Sequence, residues 1–117
     1  DSVAAPTDSV AKDEVFMVAE QMPEYPGGMK ELFKFLQDNV KYPESAMKKN
    51  VQGRVIVQFV VEKDGTPTEF NVVRAVNPDL DAEALRVLKT MPKWKPGMQR
   101  GEVVRVKFTV PVAFKLQ

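Results

Sequence analysis

Residues 53–74 read GRVIVQFVVEKDGTPTEFNVVR, two alternating apolar runs joined by Lys63-Asp64-Gly65-Thr66. Alternation with period two marks a half-buried strand, and the Asp-Gly pair at the junction predicts a hairpin. A type I′ turn needs positive φ at both central residues, so Asp64 and Gly65 are placed there, with Lys63 facing Thr66. Pairing outward sets Val61 against Thr68, Phe59 against Phe70, Val57 against Val72 and Val55 against Arg74, and the apolar side chains meet on one face. The other face sets Gln58 against Asn71 and Val60 against Glu69, a mixed surface that is either solvated or partly covered.

Around this hairpin the helices announce themselves by period and punctuation. Met29, Leu32, Phe33 and Leu36, with Val40 one turn on, form the stripe of an amphipathic helix over residues 29–39. Lys41-Tyr42-Pro43 breaks it, because a residue before proline is driven out of the α region, and Pro43 opens a short helix through Ala46 and Met47 that Asn50 ends. Asn77 caps a third helix with Pro78 in its first position and Asp79 and Asp81 complementing its dipole. Leu80, Ala84, Val87, Leu88 and Met91 are its apolar stripe, and Pro92 ends it. Residues 93–101 read as a loop, and residues 103–116 alternate again as a third long strand. Its even positions from Val104 to Leu116 are largely apolar, while Arg105, Lys107, Thr109 and Lys115 lie on the opposite face.

Upstream, residues 1–13 are small, polar and aperiodic, and read as a tail or linker. Residues 14–117 form the domain. Its first stretch, EVFMVAE, is an edge strand or an extended segment laid on the core. QMPEYPGG follows as irregular chain with Tyr25 as a packing anchor.

The second strand reaches the third through a helix, so a right-handed crossover puts the first strand between them. The expected fold is α+β: a three-stranded antiparallel sheet in the order 2-1-3 with two main helices on one face. Pro67 then aims its missing donor at the outer edge, and Pro111 aims its own inward, ending or bulging the pairing with the first strand. The same parity leaves Val104, Val106, Phe108 and Val110 offering backbone groups to an open edge, where a partner can add a strand. Arg105 and Lys107 discourage unprogrammed pairing there.

Composition removes other classes. With 117 residues there is room for one modest core, and a formal charge of +1 gives no bulk attraction to nucleic acid or an anionic membrane. The absence of His and Cys excludes thiol nucleophiles, Ser-His-Asp triads and cysteine-based zinc sites. No apolar run approaches the ~20 residues of a spanning helix. Trp94 between Lys93 and Lys95 is read as core packing in preference to a stacking platform. Asp79, Asp81 and Glu83 are read as a helix start in preference to a cation site. Glu20 with Glu24, or Ser45 with a Lys, lacks the spacing of a catalytic pair, so no catalytic residue, metal or cofactor is assigned.

The order Tyr42-Pro43, GxVxVxFxVxxDG over residues 53–65, a helix, WKPG over residues 94–97 and a closing VxVxFxVPVxF strand resembles the C-terminal domain of TonB-family proteins over residues 40–116. VFMVAEQMPEYPGG is similar to a segment that precedes this domain in one subgroup. The resemblance implies a periplasmic domain of a protein anchored in the inner membrane. It implies engagement of the N-terminal box peptide of outer-membrane TonB-dependent transporters and coupling, through an N-terminal anchor, to an ExbB/ExbD-type motor. It also places Lys41, Tyr42 and Pro43 near the transporter-facing surface, against a plain reading as a helix break whose Tyr packs on the core. Related domains end sensor peptidases and other envelope proteins, which keeps a structural or dimerising module, a homodimer through the edge strand, as the alternative.

Overall fold

The computed structural model describes residues 14–116, so the expected tail at residues 1–13 lies outside the described residues. The elements in chain order are β1 (Val15–Phe16), α1 (Met29–Asn39), α2 (Glu44–Lys48), β2 (Gly53–Val61), β3 (Pro67–Arg74), α3 (Pro78–Leu88), β4 (Gly97–Gln99) and β5 (Glu102–Phe114). The sheet runs β1-β5-β2-β3, with β4 also paired to β5. The expected central trio is there in the expected order, but the sheet has five strands instead of three. The two short additions come from EVFMVAE and from the stretch expected to be only loop.

Helix boundaries follow local chemistry. The Asn77 side chain accepts from the backbone N–H groups of Asp79 and Leu80, at 2.8 and 3.3 Å, with Pro78 opening α3. The α3 stripe from Leu80 to Leu88 is fully buried, and Met91 nearly so. Asn50 stops the α2 segment in the left-handed region at φ 55. In α1 the buried stripe is rotated from the one the periodicity suggests: Leu32 and Leu36 are buried and Phe35 packs on the core, whereas Met29 and Phe33 are exposed. Tyr25 draws Phe35 inward, their ring centroids 5.9 Å apart. Among the described residues no helix is long and apolar enough to cross a membrane.

The hairpin departs from the expected register near its turn. Glu62, not Lys63, faces Thr66: the Glu62 N–H donates to the Thr66 carbonyl at 2.9 Å, and the Gly65 N–H donates back to the Glu62 carbonyl at 2.8 Å. Gly65 has φ +92 while Asp64 is not among the positive-φ residues, so the connection is a three-residue loop with a left-handed glycine and not a type I′ turn. The Asp64 side chain instead accepts the Thr66 N–H at 2.9 Å. Val60 therefore faces Thr68 and Val61 faces Pro67, one residue away from the alternation that buries the apolar side chains. A bulge at Glu69, left-handed at φ 52, returns Gln58 to Asn71 and Val57 to Val72; a second irregularity sets Ile56 opposite Arg74.

Val55, Val57, Phe59 and Val61 of β2 meet Val110, Val112 and Phe114 of β5 in one core with α1 and α3. The rings nearest Phe59 come from β3, β5 and the loop after α3: Phe70 at 5.4 Å, Trp94 at 5.4 Å and Phe108 at 6.2 Å. Trp94, 3% exposed, is core packing and also meets Tyr25 edge-on at 5.6 Å. A smaller cluster gathers Val104 and Val106 with Ala19 and Phe16.

Candidate functional site

Which backbone groups of β5 face outward follows from the turn. Because the Glu62 N–H points at β3, alternation along β2 aims Val61, and every odd residue back to Val55, at β5. Val61 faces Val106, and the ladder runs unbroken to Gly53 opposite Phe114. The even residues of β5 from Val106 onward are therefore bonded inward. The odd residues present the free edge: Lys107, Thr109, Pro111 and Ala113. Pro111 lies opposite Ile56 with no bulge, which is possible because its missing donor points outward. This corrects the expected parity, in which Val104, Val106, Phe108 and Val110 formed the open row and Pro111 interrupted the ladder. The error enters at the turn, where one extra loop residue exchanges the two sets. Pro67 keeps its expected outward direction, since its partner Val61 is bonded to β5.

The upper end of β5 is already occupied. β4 pairs with it through a two-residue turn at Arg100 and Gly101, both left-handed, with Gly97 opposite Val104. Met98 exchanges backbone bonds with Gln21 on its other side, which aims Gly97 and Gln99 at β5 and places β4 in the lane of β2. On the outer side β1 runs parallel to β5, with Val15 opposite Arg105 and Phe16 opposite Val106. Among the described residues no strand covers the outer side of β5 from residue 107 to 113. Sequence reasoning found the strand but missed Thr109 and Ala113; the signal was Pro111, which sits most easily in an outward row.

Arg105 is engaged within the sheet. It spans three strands, donating from Nε to Glu62 Oε1 at 2.8 Å and from Nη2 to Glu62 Oε2 at 3.1 Å, with a further ion pair to Glu69. The Arg105 hydrogen bond, aided by the Thr68 hydroxyl and opposed by partial burial, holds the Glu62 carboxyl below its ordinary range. This clamp lies on the sheet face away from the helices, where Val60 is nevertheless 1% exposed. Lys107 is exposed beside the open edge. The opposite margin of the sheet, β3, is blunted by Pro67, the left-handed Glu69 and the second irregularity, devices that resist strand pairing.

Lys41, Tyr42 and Pro43 are held on the helical layer. The Lys41 N–H donates to Glu83 Oε2 at 2.7 Å, and Arg86 grips the same carboxylate through Nε at 2.7 Å and Nη2 at 2.6 Å. Arg86 first, and the Lys41 amide after it, hold the Glu83 carboxyl below its ordinary range against partial desolvation. Tyr42 donates its hydroxyl to the Val51 carbonyl and sets its ring edge-on to Phe114, centroids 5.7 Å apart. Pro43 is the N-cap of α2. Tyr42 thus ties the α1–α2 connection to the end of β5.

The family described as Gram-negative bacterial TonB protein C-terminal matches residues 38–116. This chain belongs to the TonB C-terminal domain family. TonB proteins from two Helicobacter pylori strains are each 31% identical to it over 78 residues, covering 66% of this chain and 26% of theirs. The chain spans about a quarter of the length of these curated relatives. A solution structure of the Helicobacter pylori TonB C-terminal domain shares its fold with TM-score 0.59 and 22% identity, covering 76% of this chain and 80% of that one. That of Pseudomonas aeruginosa TonB gives TM-score 0.55 and 26% identity over 68% of this chain and 81% of the other.

The span matched to the TonB family contains α2, α3 and all of β2 to β5. Upstream of it, β1, Tyr25 and most of α1 complete this TonB-family fold. Residues 21 and 24 bridge to residues 98 and 95, and Glu20 Oε1 accepts the Arg100 N–H at 2.8 Å.

Proposed function

We propose that this domain is the periplasmic interaction domain of a TonB-like energy transducer, engaging outer-membrane TonB-dependent transporters by accepting a strand from their N-terminal box segment at the outer edge of β5. The parent protein, anchored in the inner membrane, draws on the proton motive force through an ExbB/ExbD-type motor. The domain acts by binding and not by catalysis. The observation that carries this reading is the asymmetry of the sheet margins: β3 is blunted, while among the described residues none covers the outer side of residues 107–113 of β5, beside an exposed lysine. Main-chain bonds place little demand on sequence, which suits a domain serving many transporters.

Adding a peptide from a transporter N-terminus is expected to slow hydrogen exchange at the Lys107, Thr109 and Ala113 amides. Protection confined to the β3 margin, or absent from the sheet, would refute strand addition at β5. Concentration-dependent dimerisation without a peptide response would favour the structural module.

Lys41, Tyr42 and Pro43 form a second, adjoining contact in this reading, because Tyr42 packs on Phe114 at the end of the same strand. Tyr42→Ala is expected to cost about 2 kcal/mol of stability through lost packing and one hydrogen bond. It should weaken peptide binding beyond what that loss explains. Equal affinity at matched folded fraction would leave Tyr42 a structural role only.

A further inference from the structure

The open edge of β5 does not end on a flat surface. Where residues 111–115 pass beneath α1, a cleft of about 650 Å³ lies between strand and helix. Its helix side is made by Phe33, Leu36, Val40 and Tyr42, and Phe114 closes the strand side. Phe33 is 47% exposed although its neighbour Leu32 is fully buried, so the helix holds an aromatic ring at the cleft wall that the domain's own core does not use. Among the described residues the charged lining side chains are Arg54 and Lys115, with no carboxylate beside them in the lining. Among the described residues neither is in an ion pair.

The geometry of an added strand connects these facts. A strand laid along the open edge continues the alternation of β5: one set of its side chains falls on the face of Val110, Val112 and Phe114, under α1, and the next set on the face of Ala113 and Lys115. The first set enters the cleft; the second meets the two unpaired cations. We infer that this cleft is a specificity pocket which receives one bulky apolar side chain of the added strand, with an adjacent carboxylate recognised by Arg54 and Lys115. The inference rests on strand addition at β5 and gives that interaction a sequence preference: a large apolar residue beside an acidic one, near Val112 in register. Burial of the apolar side chain supplies affinity, and the unmatched positive charge selects the acidic neighbour over a basic one.

The probe is a blocked nonapeptide of Thr and Val with a Glu-Leu pair at its centre, titrated into the 117-residue chain while backbone amide shifts and exchange are followed. Replacing the peptide's Leu by Ala is expected to weaken binding about tenfold. Replacing its Glu by Gln should weaken binding several-fold and flatten the salt dependence. In the Phe33→Ser domain the Leu and Ala peptides should bind alike, and in the Arg54→Gln, Lys115→Gln domain the Glu and Gln peptides should bind alike. Both variants alter exposed side chains, and unchanged amide spectra for β2 and β3 verify their folds. If the Leu and Ala peptides bind the unaltered domain equally while the Lys107, Thr109 and Ala113 amides are protected, the pocket is wrong and strand addition stands. If no peptide protects those amides, strand addition fails and the pocket with it. Protection at high domain concentration without peptide would give the cleft to a second copy of this chain and overturn the proposal.

Discussion

Phe59→Ala is expected to destabilise the domain by about 3 to 5 kcal/mol, a large share of the roughly 5 to 15 kcal/mol that holds a small domain folded. Phe59 is 1% exposed near the end of β2, with its ring centroid 5.4 Å from those of both Phe70 and Trp94. Truncation removes the transfer free energy of the ring and leaves a void whose walls cannot easily close. Phe108 stands directly opposite Phe59 on β5, Phe70 follows the left-handed Glu69 of the β3 bulge, and Trp94 is held by Tyr25 on one side and by its backbone bond to Gly65 on the other. Urea denaturation of the two proteins gives the difference. A loss under about 1 kcal/mol would mean that the aromatic cluster collapses around the gap.

Gly65→Ala is expected to cost about 3 kcal/mol, an unusual penalty for a single methyl in a hairpin turn. Two effects combine. Gly65 sits at φ +92, where any side chain is strained, and a Cβ built there would lie 2.0 Å from the Trp94 carbonyl oxygen. That oxygen is backbone, so the clash cannot be relieved by a rotamer change. The Trp94 N–H donates to the Gly65 carbonyl at 2.8 Å, so pushing the two segments apart also breaks a hydrogen bond and unseats the indole. The variant should therefore show a red-shifted Trp94 fluorescence as well as a lower denaturation midpoint. A loss near that of an ordinary glycine substitution, about 1 kcal/mol, with unchanged fluorescence, would show that the loop after α3 moves aside without disturbing the core.

The same contact explains why the edge was readable only in part. Local chemistry determined most of the frame. Period-two alternation placed β2, β3 and β5, the Asn77-Pro78 start placed α3, and the crossover rule ordered the central strands. Each depends on neighbours within a few residues, so the amino-acid string contains it. The backbone groups that β5 presents at its open edge depend instead on parity, and parity is inherited from the turn. Asp64-Gly65 is compatible with both a two-residue and a three-residue loop, and Trp94, some thirty residues away, docks against Gly65 in the three-residue form. That choice shifts the register by one residue and exchanges the inward and outward backbone groups of β2 and β5. The Glu69 bulge then restores the apolar face on β3, so side-chain patterning did not reveal the shift.

Two other features were also decided only by distant packing. Phe35, not Phe33, joins the core because Tyr25 reaches it, which leaves Phe33 at the cleft beside β5. The upper end of the open edge is closed because β1 and β4, too short to be distinguished from loop by periodicity, gain their backbone partners from β5 itself. The sequence by itself thus determined which segments form strands and helices, how the long strands are ordered and which face of the sheet is apolar. Tertiary structure decided which backbone groups are free to bind, because that depends on a one-residue choice made by contacts between segments far apart in the chain.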